Sequence, residues 1–432
     1  MLINNNYLRK TFHNFMEDYK FPANDRKIAV AVSGGADSLA LTMLANNWAK
    51  INKINLLTFT INHGLRPESL KESSLVEKQM KKLSIKHETI VWEGNKPKSG
   101  IQIKARNARY RLLAEACIKH DVRYILLGHH KDDQIETFII RLINNSGLDG
   151  LTCMSENNCL LTESGPIKIL RPLLDISKNH LVQLCIDQKI SWINDPSNED
   201  HSFMRTRVRS LIDNQIANDF YKTISIYKKL KLSFSKYIDR FMQESIKYNK
   251  DGICKFSRDK FIQSPFILQE RFLKKVFCTI GGKTYPPKSK IINRIIKNIS
   301  SENFSNITAG KVFFNIDKKL ITVLRQPEAS IKCTPLIKKI VLWDKRFIIK
   351  NRSKKSSISV GPLGEKDYLM MLKLKKIKKF DDHYYAVKSL PAIRSLDEIV
   401  YVPHLSYSKE KYWEQNITVK YLYDKRLKLV ET

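Results

Sequence analysis

The chain has 432 residues, and 42% of them are hydrophobic, enough for more than one packed core and too many for a disordered polyelectrolyte. Its 76 Lys and Arg outweigh 43 Asp and Glu, and the net charge of +33 excludes a strongly basic partner and favours an anionic one, nucleic acid or a membrane face. Seven cysteines without a CxxC pair argue against a disulfide framework or zinc knuckle; no apolar run approaches the roughly 18–20 residues of a membrane span, and the polar start MLINNNYLRKTFHNF is no signal peptide, so a soluble cytoplasmic protein is expected.

The first half alternates strand and helix patterns. Lys27–Ser33 is a short β-branched run read as a buried strand, and Asp37–Ile51 follows with helical spacing through Leu39, Leu41, Leu44 and Trp48. Ile54–Ile61 reads as a second strand, Glu68–Leu83 as a polar-faced helix, and Ile85–Val91 as a third strand. Then come a helix over Ile101–His120, a strand over Tyr124–Gly128 and a helix over Asp132–Asn144. A fifth strand is expected at Ile167–Leu170, and a helix capped by Ser177 runs to Gln188. Strands separated by helices imply a parallel sheet wound on both faces, an α/β Rossmann-like layer with ligands at the strands' carboxyl ends.

From about Ser210 the character changes. Residues 211–300 read mainly as lysine-rich helices, and after Pro327 short strands are expected at Lys339–Trp343, Phe347–Lys350, Ser357–Val360 and Ile399–Val402. Three domains follow: a catalytic α/β domain over 1–212, a mainly helical domain over 213–330, and a small basic α+β domain over 331–432. The last carries 23 Lys and Arg against 11 Asp and Glu, with a dense run at Lys373–Lys379 (KLKKIKK) that charge pattern alone makes a solvated face.

The sharpest chemical signal is Ser33-Gly34-Gly35-Ala36-Asp37-Ser38, between a buried strand and a helix start. Glycines allow a tight turn and close approach to an anion; the helix N-terminus adds free N–H groups and partial positive charge. Two serine hydroxyls add donors. No Lys follows the glycines, so this is not the GxxxxGK[ST] loop that clamps terminal phosphates; it suits a reaction in which pyrophosphate leaves from an α-phosphate. Asp37 either positions magnesium, orders the cradle or caps the helix, and these roles are compatible.

Asp133 and Glu136 lie three apart on one helical turn, so both carboxylates can face one side and hold an ammonium or a magnesium ion. First-turn acids also compensate the helix dipole, which is the reading for Asp132. Arg106 and Arg109 share a helix face and suit phosphate, while Arg111 faces elsewhere. His129 and His130 lack a third zinc ligand at standard spacing, so contact with nucleotide or substrate is the reading for one of them.

SGGADS resembles the signature of the PP-loop, or N-type ATP pyrophosphatase, superfamily. The further motifs narrow this: His63-Gly64-Leu65-Arg66, Ala105–Tyr110 (ARNARY), Leu127–Thr137 (LGHHKDDQIET), Arg171–Leu174 (RPLL), Asp195–Asn198 (DPSN) and Phe203–Arg209 (FMRTRVR). In that order the set is similar to the tRNA(Ile)-lysidine synthetase family over roughly 27–210, with Thr206 where the family usually has Asn. The C-terminal part resembles it more weakly, in length, basicity and the stretch Ile337–Arg346 (IKKIVLWDKR).

The resemblance implies an ATP-dependent ligase. The C2 oxygen of the wobble cytidine of tRNA(Ile) with a CAU anticodon attacks the ATP α-phosphate, and the ε-amine of free L-lysine then displaces AMP. ATP and Mg2+ are the implied cofactors; no protein partner or membrane is needed. It places Asp37, Arg106, Arg109, Asp133 and Glu136 in catalysis, the carboxylate pair holding lysine. Ser33, Gly34, Gly35, Ala36, Asp37, Ser38, His63 and His129 would bind nucleotide, with Asp37 at the magnesium. Arg171, Asp195, Arg205, Arg207 and Arg209 would contact tRNA, and the helical domain over 213–330 and the basic domain over 331–432 would bind its body. Two rivals remain: a PP-loop tRNA thiolase, which needs reactive cysteines, and a tRNA-binding protein with a vestigial nucleotide loop.

Overall fold

A computed structural model describes residues 5–19, 21, 26–64, 68–93, 101–162, 165–194, 204–248, 251–283, 286–329, 333–337, 340–380 and 383–422. The chain divides into two compact units, the first of residues 1–160 and 166–232, the second of 161–165 and 233–431.

In chain order the first unit contains α1 (Asn5–Asp18), β1 (Lys27–Ala31), α2 (Ala36–Ile51), β2 (Asn55–Asn62), α3 (Ser69–Lys82), β3 (Lys86–Val91), α4 (Ile101–Lys119) and β4 (Tyr124–Leu126). It continues with α5 (Lys131–Ile143), α6 (Leu148–Leu151), β5 (Asn157–Thr162), β6 (Gly165–Leu170), α7 (Lys178–Asp187), α8 (Met204–Ser210) and the start of α9 (Asn214–Ser245). The sheet order is β3-β2-β1-β4-β6-β5, with β1, β2, β3, β4 and β6 parallel. The expected parallel α/β layer is thus present. The unforeseen addition is β5 at the edge beside β6.

Successive residues of a strand face opposite sides. In β1, Ile28 and Val30 pack into a core with α1, α2, α3 and α7, while Ala29 packs with α4 on the other face. Both faces are buried, which is why β1 reads as an unbroken apolar run. The order reverses between β1 and β4, and ligands of such sheets sit at that switch.

The second unit adds β7 (Ile246–Tyr248), β8 (Cys254–Ser257), α10 (Arg258–Gln263), α11 (Phe266–Thr279), α12 (Ser289–Ser300), β9 (Ile307–Ala309), β10 (Val312–Ile316) and β11 (Leu320–Arg325). The stretch expected to be mainly helical therefore also builds a five-stranded sheet, β7-β8-β11-β10-β9. In α12, Ile292, Ile295, Ile296 and Ile299 are buried while Lys290, Arg294 and Lys297 are exposed, a 3.6-residue stripe. Each buried Ile contributes about 1.5–3 kcal/mol.

Beyond these lie β12 (Thr334–Pro335), β13 (Ile340–Trp343), β14 (Phe347–Asn351), β15 (Ile358–Pro362), α13 (Glu365–Lys373) and α14 (Tyr384–Lys388). β16 (Pro391–Ser395), β17 (Glu398–Val402), β18 (Tyr407–Ser408), α15 (Lys411–Asn416) and β19 (Ile417–Tyr421) complete the chain. They form the sheets β12-β15-β16-β17-β18 and β13-β14-β19. The expected boundary at 330–331 falls inside this unit. Across it, Asp344, 2% exposed, accepts from Arg325 Nη2 at 2.5 Å and Arg346 Nε at 2.7 Å, while Arg346 Nη2 donates to Ser389 O. No helix among the described residues is long and apolar enough to cross a membrane.

Candidate active site

The loop after β1 is shaped by its small residues. Gly34 has φ +87°, the left-handed region, and a Cβ there would stand 2.6 Å from Ile193 Cδ1 and 2.9 Å from Val76 Cγ2. Gly35 differs: it is extended (φ −74°, ψ 159°) and is the N-cap of α2. Ser38, 6% exposed, locks the turn: its Oγ accepts from Ser33 N–H at 3.1 Å and donates to Gly35 O at 2.9 Å. Ala36 is buried at the first turn of α2.

Gly128, at the end of β4, brings the second motif against this loop; a Cβ on it would meet Asp37 O at 3.2 Å and Ser38 Cα at 3.3 Å. His130, 3% exposed, follows at the N-cap of α5. Its Nε2 lies 3.6 Å from Asp37 Oδ2 and 3.5 Å from Asp133 Oδ2, and its Nδ1 lies 3.4 Å from Asp132 Oδ2. Burial alone would lower its pKa, but the carboxylates of Asp132, Asp37 and Asp133 win and raise it to about 10, so it is an imidazolium. Sequence reading placed the site contact on His129 and left His130 out; the signal lay in the three acids around it.

Asp132 does more than offset a dipole. Its carboxylate accepts from the Lys178 backbone N–H at 2.9 Å, at the start of α7, where Ser177 makes no side-chain cap bond. Burial opposes its ionisation, yet His130 and the Lys178 N–H hold it down to about 2.

Asp133 and Glu136 do share a side, as their spacing implies. Asp133 accepts from the His130 backbone N–H at 3.0 Å and from Arg205 Nη2 at 2.9 Å. Glu136, 2% exposed, accepts from Arg205 Nε at 2.6 Å and Arg209 Nε at 2.7 Å. Two arginines expected to meet tRNA are therefore engaged by these carboxylates, while the Arg207 side chain is exposed and donates to Met204 Sδ at 3.9 Å. Asp195 lies outside the described residues.

A second, electropositive cluster surrounds His129. Arg171, 3% exposed, donates from Nε to His129 Nδ1 at 3.3 Å and from Nη1 to Ser155 O at 2.9 Å. The Arg106 and Arg109 guanidiniums sit 5.4 and 5.5 Å from the Tyr110 ring centroid. Burial and the charges of Arg171, Arg109, Arg106 and Arg205 push His129 well below its ordinary pKa, so it is neutral. Burial alone would raise the Tyr110 phenol, but Arg106, Arg109 and Arg171 bring it below its usual value. Tyr110 went unremarked in the sequence because a tyrosine in a helix signals core. Arg205 acts on both clusters. His63 stands after β2, edge-on to Trp92 at 5.9 Å, with Gly64 N–H bonded to Asn62 Oδ1.

Among the described residues Asp37 Oδ1 is buried with no hydrogen-bond partner, which fits a cation ligand; phosphate oxygens and water would complete the shell of a magnesium ion.

The buried cysteines Cys117 and Cys185 do not suit nucleophilic chemistry. Cys185 touches the loop by donating to Ala36 O at 3.4 Å, but burial pushes its thiol up to about 11, and that of Cys117 to about 12. Alkylation of the folded protein at pH 8, read by mass spectrometry, is expected to label exposed Cys333 first and spare Cys117 and Cys185. Labelling of Cys185 at the pace of Cys333, with loss of activity, would revive the thiolase reading.

Residues 4–216 match the family model of the PP-loop domain. The tRNA(Ile)-lysidine synthase of Wolbachia pipientis wMel is 32% identical over 93% of this chain and 93% of its own length. Those of Orientia tsutsugamushi (strain Boryong) and Rickettsia felis are 28% and 30% identical, covering 94% and 91% of this chain and 95% and 92% of theirs. Among solved structures, the U34-tRNA thiolase NcsA from Methanococcus maripaludis aligns with TM-score 0.43 and 18% identity over 52% of this chain and 79% of that one. With a tight glycine turn after β1, a carboxylate pair at the adjacent strand end and likeness to these synthases over more than nine-tenths of its length, the chain belongs to the tRNA(Ile)-lysidine synthase family.

Proposed function

We propose that this chain uses ATP to join free L-lysine, through its ε-amine, to C2 of the wobble cytidine of tRNA(Ile) with a CAU anticodon, releasing AMP and pyrophosphate. The observation that supports this reading is that His130 Nε2 lies 3.6 Å from Asp37 and 3.5 Å from Asp133, linking the Ser33–Ser38 turn to the Asp133–Glu136 pair.

In the first step the cytidine C2 oxygen forms a bond to the α-phosphorus, and the bond to pyrophosphate breaks. The N–H groups of the Ser33–Ser38 loop and the N-terminus of α2 receive the leaving diphosphate. Arg106 and Arg109 offset charge building at the α-phosphate, since their guanidiniums are permanently cationic. Neutral His129, with Nδ1 accepting from Arg171, can donate one hydrogen bond there from Nε2 without adding charge. A magnesium ion on Asp37 would neutralise phosphate charge.

In the second step the ε-amine bonds to C2, and the C2–O bond breaks, so AMP carries away the cytidine's own oxygen. The amine attacks as the neutral base, yet its reference pKa is ~10.4, so the site must take up a proton. Asp133 and Glu136 are the candidate acceptors. Arg205 pairs with both and Arg209 with Glu136, and the incoming ammonium competes with Arg205 for the same oxygens. The anticodon loop is already unpaired, so presenting its base costs little.

Mass spectrometry of tRNA(Ile) bearing CAU, after incubation with protein, ATP and lysine, tests the reading. A nucleoside heavier by one lysine less one water is expected. Unmodified cytidine, or a sulfur-bearing product, would overturn it.

A further inference from the structure

Gln134 of the GHHKDDQIET motif takes no part in the steps above, and Arg171 enters them only as a donor to His129. β4 and β6 are parallel neighbours with Leu126 opposite Leu170, so the residues just past their ends lie side by side. That brings His129 and Arg171 together, with Arg171 Nε donating to His129 Nδ1 at 3.3 Å. A guanidinium carries only donors. Nδ1 is therefore the unprotonated nitrogen, and the single proton of the neutral ring sits on Nε2. Among the described residues no protein group binds Nε2.

A buried arginine is a costly partner for a neutral ring. Arg171 is 3% exposed, no carboxylate pairs with it among the described residues, and the like charges of Arg106 and Arg109 act on it. Backbone oxygens hold it instead. Its Nη1 donates to Ser155 O at 2.9 Å, and its own N–H donates to Glu156 O at 2.7 Å.

The segment that supplies these oxygens is itself clamped to α5. Gln134, fully enclosed, donates to Met154 O and accepts from Met154 N–H, both at 2.8 Å. Arg141 Nη1, further along α5, donates to Cys153 O at 3.1 Å. Cys153 adopts φ +58°, a conformation a side chain tolerates only where its surroundings hold it. One chain of contacts thus runs from the turn of α5 that carries Asp133, through residues 153–156 and Arg171, to the ring of His129.

We propose that Arg171 is a positioning residue that acts through His129: its Nε fixes the ring and keeps the proton on Nε2, while Gln134 clamps the strap 153–156 that braces Arg171. This rests on the reading above that His129 meets the nucleotide. It gives Arg171 a place behind the nucleotide site in place of a contact with tRNA.

The test has two parts, both on the full chain. In ¹⁵N-histidine-labelled protein, nitrogen–proton correlation spectra read the tautomer, with His129 assigned by His129→Ala. The wild type is expected to show Nδ1 bare and Nε2 protonated. Arg171→Met should move both nitrogens towards averaged values, and Gln134→Met should move them in the same direction. A wild-type ring protonated on Nδ1, or one unchanged by Arg171→Met, would overturn the proposal. In tRNA-dependent ATP–pyrophosphate exchange, Arg171→Met is expected to lower kcat about 10–100-fold with little change in the KM for tRNA. The double variant with His129→Ala should be no slower than His129→Ala alone. Losses that multiply would show Arg171 acting directly on phosphate, and a raised KM for tRNA at unchanged kcat would show a tRNA contact; either overturns the proposal. Thermal unfolding checks the fold. If Arg171→Met does not fold, Arg171→Lys, which keeps the charge but cannot bond His129 and Ser155 at once, takes its place in both parts. The spectra need neither ATP nor tRNA, and lysidine formation by the wild type reports separately on the function, so either idea can fail alone.

Discussion

Gly34→Ala is expected to lower tRNA-dependent ATP–pyrophosphate exchange by about 100-fold or more, the effect of an ~1 Å displacement at a reacting centre. Two independent facts set this size. The residue has φ +87°, where a side chain is strained, and its Cβ would lie 2.6 Å from Ile193, packed against the core, and 2.9 Å from Val76, buried within it. Relief of the clash requires the loop to move, and the N–H groups that meet the diphosphate move with it. Gly147→Ala is the matched control: its φ is −71° and a Cβ there meets nothing within 4 Å. Exchange is measured with tRNA present and lysine absent, so that only activation is read. A Gly34→Ala rate close to wild type would mean that the loop does not seat the diphosphate.

Glu136→Gln is expected to separate the two half-reactions. The amide keeps the volume of a side chain 2% exposed but cannot take the amine proton. Lysine incorporation should fall by about 10²–10⁴, the usual worth of a general base, while exchange falls much less. The fold should survive. Arg205 and Arg209 side chains are 44% and 38% exposed and can turn to solvent, so the loss is about 1–2 kcal/mol, below the ~3–5 of a fully enclosed pair. Asp133→Asn should act in the same sense. Equal losses in exchange and incorporation would remove the lysine-specific role from this pair.

The parallel layer was legible because its strands are buried on both faces and so read as apolar runs, as in Lys27–Ala31. The edge strand Asn157–Thr162 was not, since NNCLLT carries two asparagines and a cysteine and little β-branched character. The sheet within 246–325 escaped for a related reason: its strands are three to six residues long and lie among strong lysine-rich helices. In the site, Gly34, Ser38 and the Asp133–Glu136 pair could be read from local spacing alone. The partners of Glu136 could not, because Arg205 and Arg209 lie 69 and 73 residues away, and a basic segment announces only its charge. His130 was hidden by its neighbour: two adjacent histidines at a strand end point to opposite surroundings, one among carboxylates and the other among guanidiniums.

Isotope transfer reads directly which atom attacks the α-phosphorus. tRNA(Ile) carrying ¹⁸O at C2 of the wobble cytidine is incubated with the protein, ATP and lysine, and the products are weighed. The label should appear wholly in AMP, with none in pyrophosphate or in the modified base. Unlabelled AMP formed alongside lysidine would show that the cytidine was never adenylated and would contradict the mechanism built on this loop.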